Sequence, residues 1–188
     1  MLLFRGMIAC GLMALAALTA VLGVDRAEAA CGPTGGLTAN PEGCEPSTAA
    51  GGTAKLVEGL AIAPAGAPAA VRKVIDAANR IRTKPYLWGG GHRRWWDRGY
   101  DCSGAVSYAL RGAGLLSTPL DSSGLMDWGA ARAGRWITVY ANAGHTYAVI
   151  AGLRWDTAGS ARGTGPRWYP NTRSVVAGRF AVRHPAGY

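Results

Sequence analysis

Tyr100-Asp101-Cys102-Ser103-Gly104 is the stretch whose reading decides the fold. A Gly- and Trp-rich loop, Gly89 to Gly99, precedes it. Ala105, Val106, Ala109, Leu110 and Ala113 follow at spacings that give a helix one buried face. Cys102 therefore falls at a helix start, with Asp101 or Ser103 as the cap. The positive end of the helix macrodipole and its unpaired N–H groups favour a thiolate there. The thiolate is the nucleophilic form. By itself, a cysteine near a helix start is more often a small buried hydrophobe. Its flanking Asp and Ser, the glycine-rich approach and a histidine downstream argue for chemistry.

That histidine is His145, in Ala143-Gly144-His145-Thr146-Tyr147-Ala148-Val149-Ile150. A small-residue turn there leads into an apolar, β-branched run that reads as a strand. A cysteine on a helix start facing a histidine on a strand is a nucleophile–base pair of the papain-like kind.

Three motifs in order carry a resemblance: Tyr86-Leu87-Trp88-Gly89-Gly90, then Asp101-Cys102-Ser103-Gly104, then Gly144-His145 opening a strand. Together they resemble the NlpC-type bacterial cell-wall cysteine peptidases, over about the C-terminal two-thirds of the chain. The resemblance implies a papain-like α+β fold, with N-terminal helices and the catalytic cysteine helix packed on an antiparallel sheet. It implies a peptidoglycan stem peptide as substrate, cut between D-glutamate, through its γ-carboxyl, and the diamino acid. No cofactor or metal is implied. Tyr86 matches a substrate-site position. Asp101 and Ser103 match positions that hold the free amino end of the stem peptide, and a carboxylate against an ammonium is a charge-assisted contact. For Asp101 and Ser103, helix capping is the plainer role, and both roles can coexist.

The third catalytic position departs from the pattern. The family carries His, Asn or Gln on the next strand, orienting the imidazole through Nδ1. Here Asp156, across a turn at Gly152, is the strongly polar acceptor near that place. An aspartate can fix the imidazole tautomer and stabilise the imidazolium. A strand-edge Asp156 paired with Arg154 or Arg162 is the other reading. His92 lies outside the family pattern and reads as a loop or surface histidine, with a secondary role at the site left open. With Cys102 and His145 it lacks metal-site spacing. Trp88 is expected in the core, and Trp95 and Trp96 either in the core or stacked on sugar rings.

Residues 1–29 read as a secretory signal: a basic start with Arg5, an apolar run Ile8 to Val24, and small residues in Ala27-Glu28-Ala29. Cleavage is expected after Ala29, leaving no membrane span. Residues 30–67, rich in Ala, Gly, Pro, Ser and Thr, read as an arm or linker without assigned elements. Residues 68–188 read as the peptidase domain. In an oxidising compartment a Cys31–Cys44 disulfide is the economical pairing, leaving Cys102 as the odd, reactive thiol.

The net charge of +9 is unchanged when residues 1–29 are removed, since they hold two basic and two acidic residues. Such a balance suits anionic envelope polymers at a secreted, periplasmic or cell-wall location. No nucleic-acid module accompanies the scattered arginines.

A helix is predicted from Pro68, on Val71, Val74, Ile75, Ala78 and Ile81, ending before Pro85. A short helical piece around Leu125 to Trp128 and strands over Arg135–Tyr140, Tyr147–Ala151, Leu153–Thr157 and Ser174–Arg183 complete the reading. Gly163 to Pro170 reads as a rigid aromatic loop. The expected activity is an exported cysteine peptidase acting through Cys102, His145 and Asp156. Two alternatives stand beside it: an amidase or acyltransferase on the same dyad with another substrate, and a non-catalytic, basic wall-binding protein.

Overall fold

A computed structural model of the chain describes residues 52–159 and 165–188. The signal, its cleavage point and the Cys31–Cys44 pairing lie outside the described residues. Helix α1 (Ala69–Ile81) buries Val71, Val74, Ile75, Ala78 and Ile81, the periodic face, together with Ala77. Helix α2 (Cys102–Gly112) is buried from Ser103 to Leu110 and packs along α1. The two backbones approach so closely that a Cβ on Gly112 would lie 2.4 Å from that of Ala77. A third, short helix, α3 (Ser122–Asp127), is capped by Asp121, whose carboxylate accepts from the Gly124 N–H at 2.7 Å.

Eight strands follow the pattern of an α+β domain: β1 (Lys55–Val57), β2 (Leu60–Ile62), β3 (Ala130–Ala131), β4 (Ile137–Asn142), β5 (His145–Ile150), β6 (Leu153–Asp156), β7 (Arg167–Tyr169) and β8 (Ala181–His184). The last six form one sheet in the order β3-β8-β4-β5-β6-β7, with every pair antiparallel. Its central strand β5 is buried at every residue. Helix α2 packs on β5 and β6, and the Trp155 indole N–H donates to the Ala105 carbonyl at 3.1 Å. The resulting layers are those the resemblance implies, a cysteine-bearing helix on an antiparallel sheet.

Tight connections set the register. Ala151 and Gly152 join β5 to β6, both with positive φ (46° and 80°), and bring Ile150 opposite Leu153. Two left-handed residues give a turn whose twist matches the strands it joins. Between β4 and β5, the Asn142 side-chain oxygen accepts from the Gly144 and His145 N–H groups, both at 2.9 Å.

Several elements depart from the sequence reading. Lys55 to Ile62, inside the expected linker, forms the β1–β2 hairpin, and Ala54, Ala61 and Ala67 belong to the core. Asn79 on α1 holds the hairpin: its amide donates to the Ala61 carbonyl at 2.9 Å, and its oxygen accepts from the Ala61 N–H at 3.1 Å. The same oxygen accepts from Trp168 Nε1 at 2.9 Å. Trp168 lies in β7, within the stretch read as an aromatic loop. The last strand is confined to Ala181–His184, where β4 and β3 supply partners. Phe180 instead turns edge-on to Tyr147, at 5.3 Å between ring centres. The first helix, by contrast, stops at Ile81, ahead of Pro85 as expected. Among the described residues, no helix is long and apolar enough to cross a membrane.

Candidate active site

Cys102 is the first residue of α2, and Asp101 is its N-cap. The Asp101 carboxylate accepts from the Gly104 N–H at 2.7 Å and from the Gly89 N–H at 3.1 Å. One side chain therefore starts the helix and anchors the Gly-rich loop. Gly104 is required where it stands. A Cβ there would lie 2.1 Å from the Gly90 carbonyl oxygen, so no other residue lets the loop close over the helix start.

His145 opens β5, and Asp156 ends β6. Pairing of Ala148 with Trp155 continues to Tyr147 opposite Asp156, which sets Asp156 diagonally across from His145 on one face. His145 Nε2 lies 2.9 Å from Asp156 Oδ1. This corrects the nitrogen expected from the family pattern: Asp156 meets Nε2, which leaves Nδ1 for the thiol. Asp156 is only 2% exposed. Its Oδ1 also accepts from the Ala158 N–H at 2.8 Å, and its Oδ2 from Arg154 at 3.2 Å. Both readings of Asp156, histidine partner and arginine partner, thus hold at once. Arg154 is itself buried, with its guanidinium 4.4 Å from the centre of the Tyr169 ring.

The electrostatics follow from these contacts. Burial pushes the Cys102 thiol up, but the hydrogen bond and charge of His145, the Thr146 N–H and the Ser122 hydroxyl outweigh it. The net shift is below the ordinary thiol value. Burial pushes His145 down, and the bonds to Asp156 and Cys102 overcome it, raising the imidazole to about 9. Both shifts favour thiolate and imidazolium together, an ion pair.

The cleft at the thiol has a volume of about 300 Å3. Tyr86, Trp88, Gly89, His92, Asp101, Cys102, Ser103, Asp121, Ser122, Ser123, Ala143 and Gly144 line it. Tyr86 pairs its backbone with Tyr100 in an isolated bridge, which carries its ring to the cleft edge. Burial and the neighbouring Cys102 and Asp101 charges raise its hydroxyl above the ordinary value, so it stays protonated and can donate. Trp88, expected in the core, is 86% exposed and forms a cleft wall. The structure thus brings Tyr86, Asp101, Cys102 and Ser103 to one cleft, with His145 and Asp156 behind the thiol.

Sequence reasoning missed one contributor and left two others undecided. Ser122 Oγ lies 3.8 Å from the Cys102 sulfur, placed there by the Asp121 cap of α3. The Asp-Ser-Ser-Gly run was a readable helix start, but nothing local aims it at the cysteine. Arg154 was named only as a rival partner for Asp156. His92, read as a loop residue, has its Nε2 2.9 Å from Asp101 Oδ1 and 3.2 Å from Ser103 Oγ. The hydrogen bond to Asp101 raises the His92 imidazole above its ordinary value against the opposing effect of burial. Among the described residues, no group of three or more His, Cys, Asp or Glu side chains is arranged to hold a metal ion.

No family model matches the sequence, and no curated protein does. Solved structures similar to the chain include the P60 domain of an antigen from M. avium subspecies paratuberculosis. It is 22% identical over 61% of this chain and 93% of that one, with a TM-score of 0.45. They also include the peptidoglycan hydrolase RipB of Mycobacterium tuberculosis, 27% identical over 61% of this chain and 64% of that one, with a TM-score of 0.47. These likenesses are loose, and the reading of the site rests on its own geometry.

Proposed function

We propose that the protein is a cysteine peptidase of the bacterial cell wall that hydrolyses an amide bond in peptidoglycan stem peptides. One observation carries the reading: a thiol at the head of α2 meets an imidazole already held by a buried carboxylate at 2.9 Å, at the floor of an open cleft. The motifs around Tyr86, Cys102 and His145 support the substrate class, and the bond they favour joins D-glutamate, through its γ-carboxyl, to the diamino acid.

The Cys102 thiolate attacks the scissile carbonyl carbon, and the carbonyl electrons move onto oxygen. The Cys102 N–H, at the positive end of α2, stabilises that oxyanion. The His145 imidazolium gives its proton to the leaving amine as the C–N bond breaks, and a thioester remains. Water then attacks the thioester carbon, and His145 takes its proton. The carboxylic acid leaves, and the ion pair re-forms. Asp156 keeps the imidazole in one tautomer and stabilises its charged form throughout. Export through residues 1–29, a Cys31–Cys44 bridge and attraction of the basic chain to anionic wall polymers belong to the same proposal.

The test is digestion of purified peptidoglycan by the protein and by Cys102→Ala, with soluble fragments read by mass spectrometry. New stem-peptide fragments from the parent alone support the proposal and name the bond. No fragments, from a parent whose Cys102 nonetheless reacts with a thiol probe in a His145-dependent way, would move the dyad to another acyl substrate.

A further inference from the structure

Beside Cys102, one corner of the cleft holds a carboxylate whose acceptor positions are already filled. Asp101 Oδ1 accepts from the Gly104 N–H at 2.7 Å and the Ser103 hydroxyl at 3.3 Å. Oδ2 accepts from the Gly89 N–H at 3.1 Å. His92 Nε2 reaches across both oxygens, at 2.9 and 3.1 Å. An ionised carboxylate has about four acceptor sites, and four donors meet this one. Two of them are backbone groups fixed by α2 and by the glycine loop. Ser103 is buried on the helix. His92 is the one donor that carries a charge when protonated.

We propose that His92 sets substrate choice in this corner: it occupies the Asp101 and Ser103 groups that the resemblance assigns to a free amino end, so that it excludes a free ammonium and admits a stem peptide whose amino end is acylated, as it is while still amide-linked to the glycan. This rests on the stem-peptide reading above and names the form of the substrate. A substrate ammonium needs acceptors and a net negative charge. Here it finds an imidazolium already paired with the carboxylate, and it would have to displace that pair. The other negative groups facing His92 are Cys102 and Asp121. Cys102 is paired with His145, and the Asp121 carboxylate accepts from the Gly124 N–H. A neutral amide N–H carries no charge to repel and can lie against the Tyr86 and Ser103 hydroxyls without disturbing Asp101.

The test is binding by calorimetry at about pH 6, below the ordinary histidine value, so that His92 is charged. The proteins are Cys102→Ala and Cys102→Ala with His92→Ala. The ligands are L-Ala-γ-D-Glu-diaminopimelate with a free amino end and the same peptide N-acetylated. With His92 present, the acetylated peptide should bind about ten-fold tighter or more, and His92→Ala should abolish or invert that ratio. Tighter binding of the free amine with His92 in place overturns the proposal, as does an equal loss for both ligands in the variant. If neither peptide binds either protein, the stem-peptide reading itself fails and takes this proposal with it. If His92→Ala does not fold, His92→Gln keeps a donor for Asp101 without the charge. An unchanged ratio in that variant overturns the proposal, and a fall of about three-fold or more supports it.

Discussion

Asp156 meets two cationic partners at one buried point, since its carboxylate lies 2.9 Å from His145 Nε2 and 3.2 Å from Arg154. Its substitutions should therefore separate by kind. Asp156→Ala leaves Arg154 buried and unpaired, which costs about 3–5 kcal/mol, and thermal or urea unfolding should show the loss. Asp156→Asn keeps an acceptor for the imidazole and fills the same volume, but it too leaves Arg154 without a counter-charge, so part of the stability loss should remain and an effect on turnover should be added to it. The pH–rate profile isolates that effect. Imidazolium is present below about 9 and is lost as pH rises through that value, so activity on a soluble stem peptide should fall on the alkaline side there. The acid limb should lie below the ordinary thiol value of about 8.5, because Cys102 loses its charge only as pH falls through its depressed value. In Asp156→Asn the carboxylate no longer supports the imidazolium, and the alkaline limb should move to lower pH. An alkaline limb that stays in place would remove Asp156 from the proposed mechanism. His145→Ala should lower kcat by about 10²–10⁴-fold, with thiol alkylation at neutral pH slowed in parallel.

At the scale of elements, the helix start at Cys102 depends on loop and helix meeting without side chains between them. Gly104→Ala would set a methyl 2.1 Å from the Gly90 carbonyl oxygen, against backbone that cannot rotate away. The variant should lose about 1–3 kcal/mol of stability and much of its activity, because the displaced loop carries Trp88 and His92. A structure or activity indistinguishable from the parent would mean that the loop position is not fixed by this contact. The same contrast between local and distant causes explains what could be read in advance. Helices α1 and α2, the strand at His145 and the strand ending at Asp156 announce themselves through local periodicity and turns. The β1–β2 hairpin does not, since its three-residue strands are stabilised by Asn79 from α1 and by the Ala54 N–H bonded to the Ala151 carbonyl. Strand β7 is equally silent, because only β6 makes Arg167–Tyr169 a strand. At the site, Cys102 and His145 stand in recognisable surroundings, and Asp156 follows from counting across one turn. The link from His92 to Asp101 needs the folded path of the glycine loop, and the place of Ser122 needs the docking of α3. Trp88 misleads for a related reason: large aromatics default to the core, whereas the loop holds this one out as a wall of the cleft.

At the scale of the whole molecule, the chain carries a net charge of +9, and the wall polymer proposed as its target is anionic. The basic residues are spread over loops and helix faces, with Arg93, Arg94, Arg98, Arg111 and Arg132 all exposed or partly so. Charges so distributed act through their summed field, which raises local concentration at an oppositely charged surface and is screened by salt. The cleft chemistry depends on contacts of about 3 Å inside a partly buried site, where screening is weak. The two should therefore respond differently to ionic strength. Sedimentation of the Cys102→Ala protein with intact wall material should weaken steeply as NaCl rises from about 0.05 to 0.5 M, where the Debye length shrinks from over 10 Å towards 3–5 Å. Turnover of a short soluble stem peptide by the parent protein should change little over the same range. If wall binding were indifferent to salt, the positive charge would not be what holds the protein to its substrate, and exposed aromatics such as Trp88 and Trp96 would become the surfaces to mutate next. If turnover of the soluble peptide fell in step with wall binding, the field would be acting on the chemical step or on capture of the peptide itself. The exposed arginines nearest the cleft would then be the groups to neutralise one at a time.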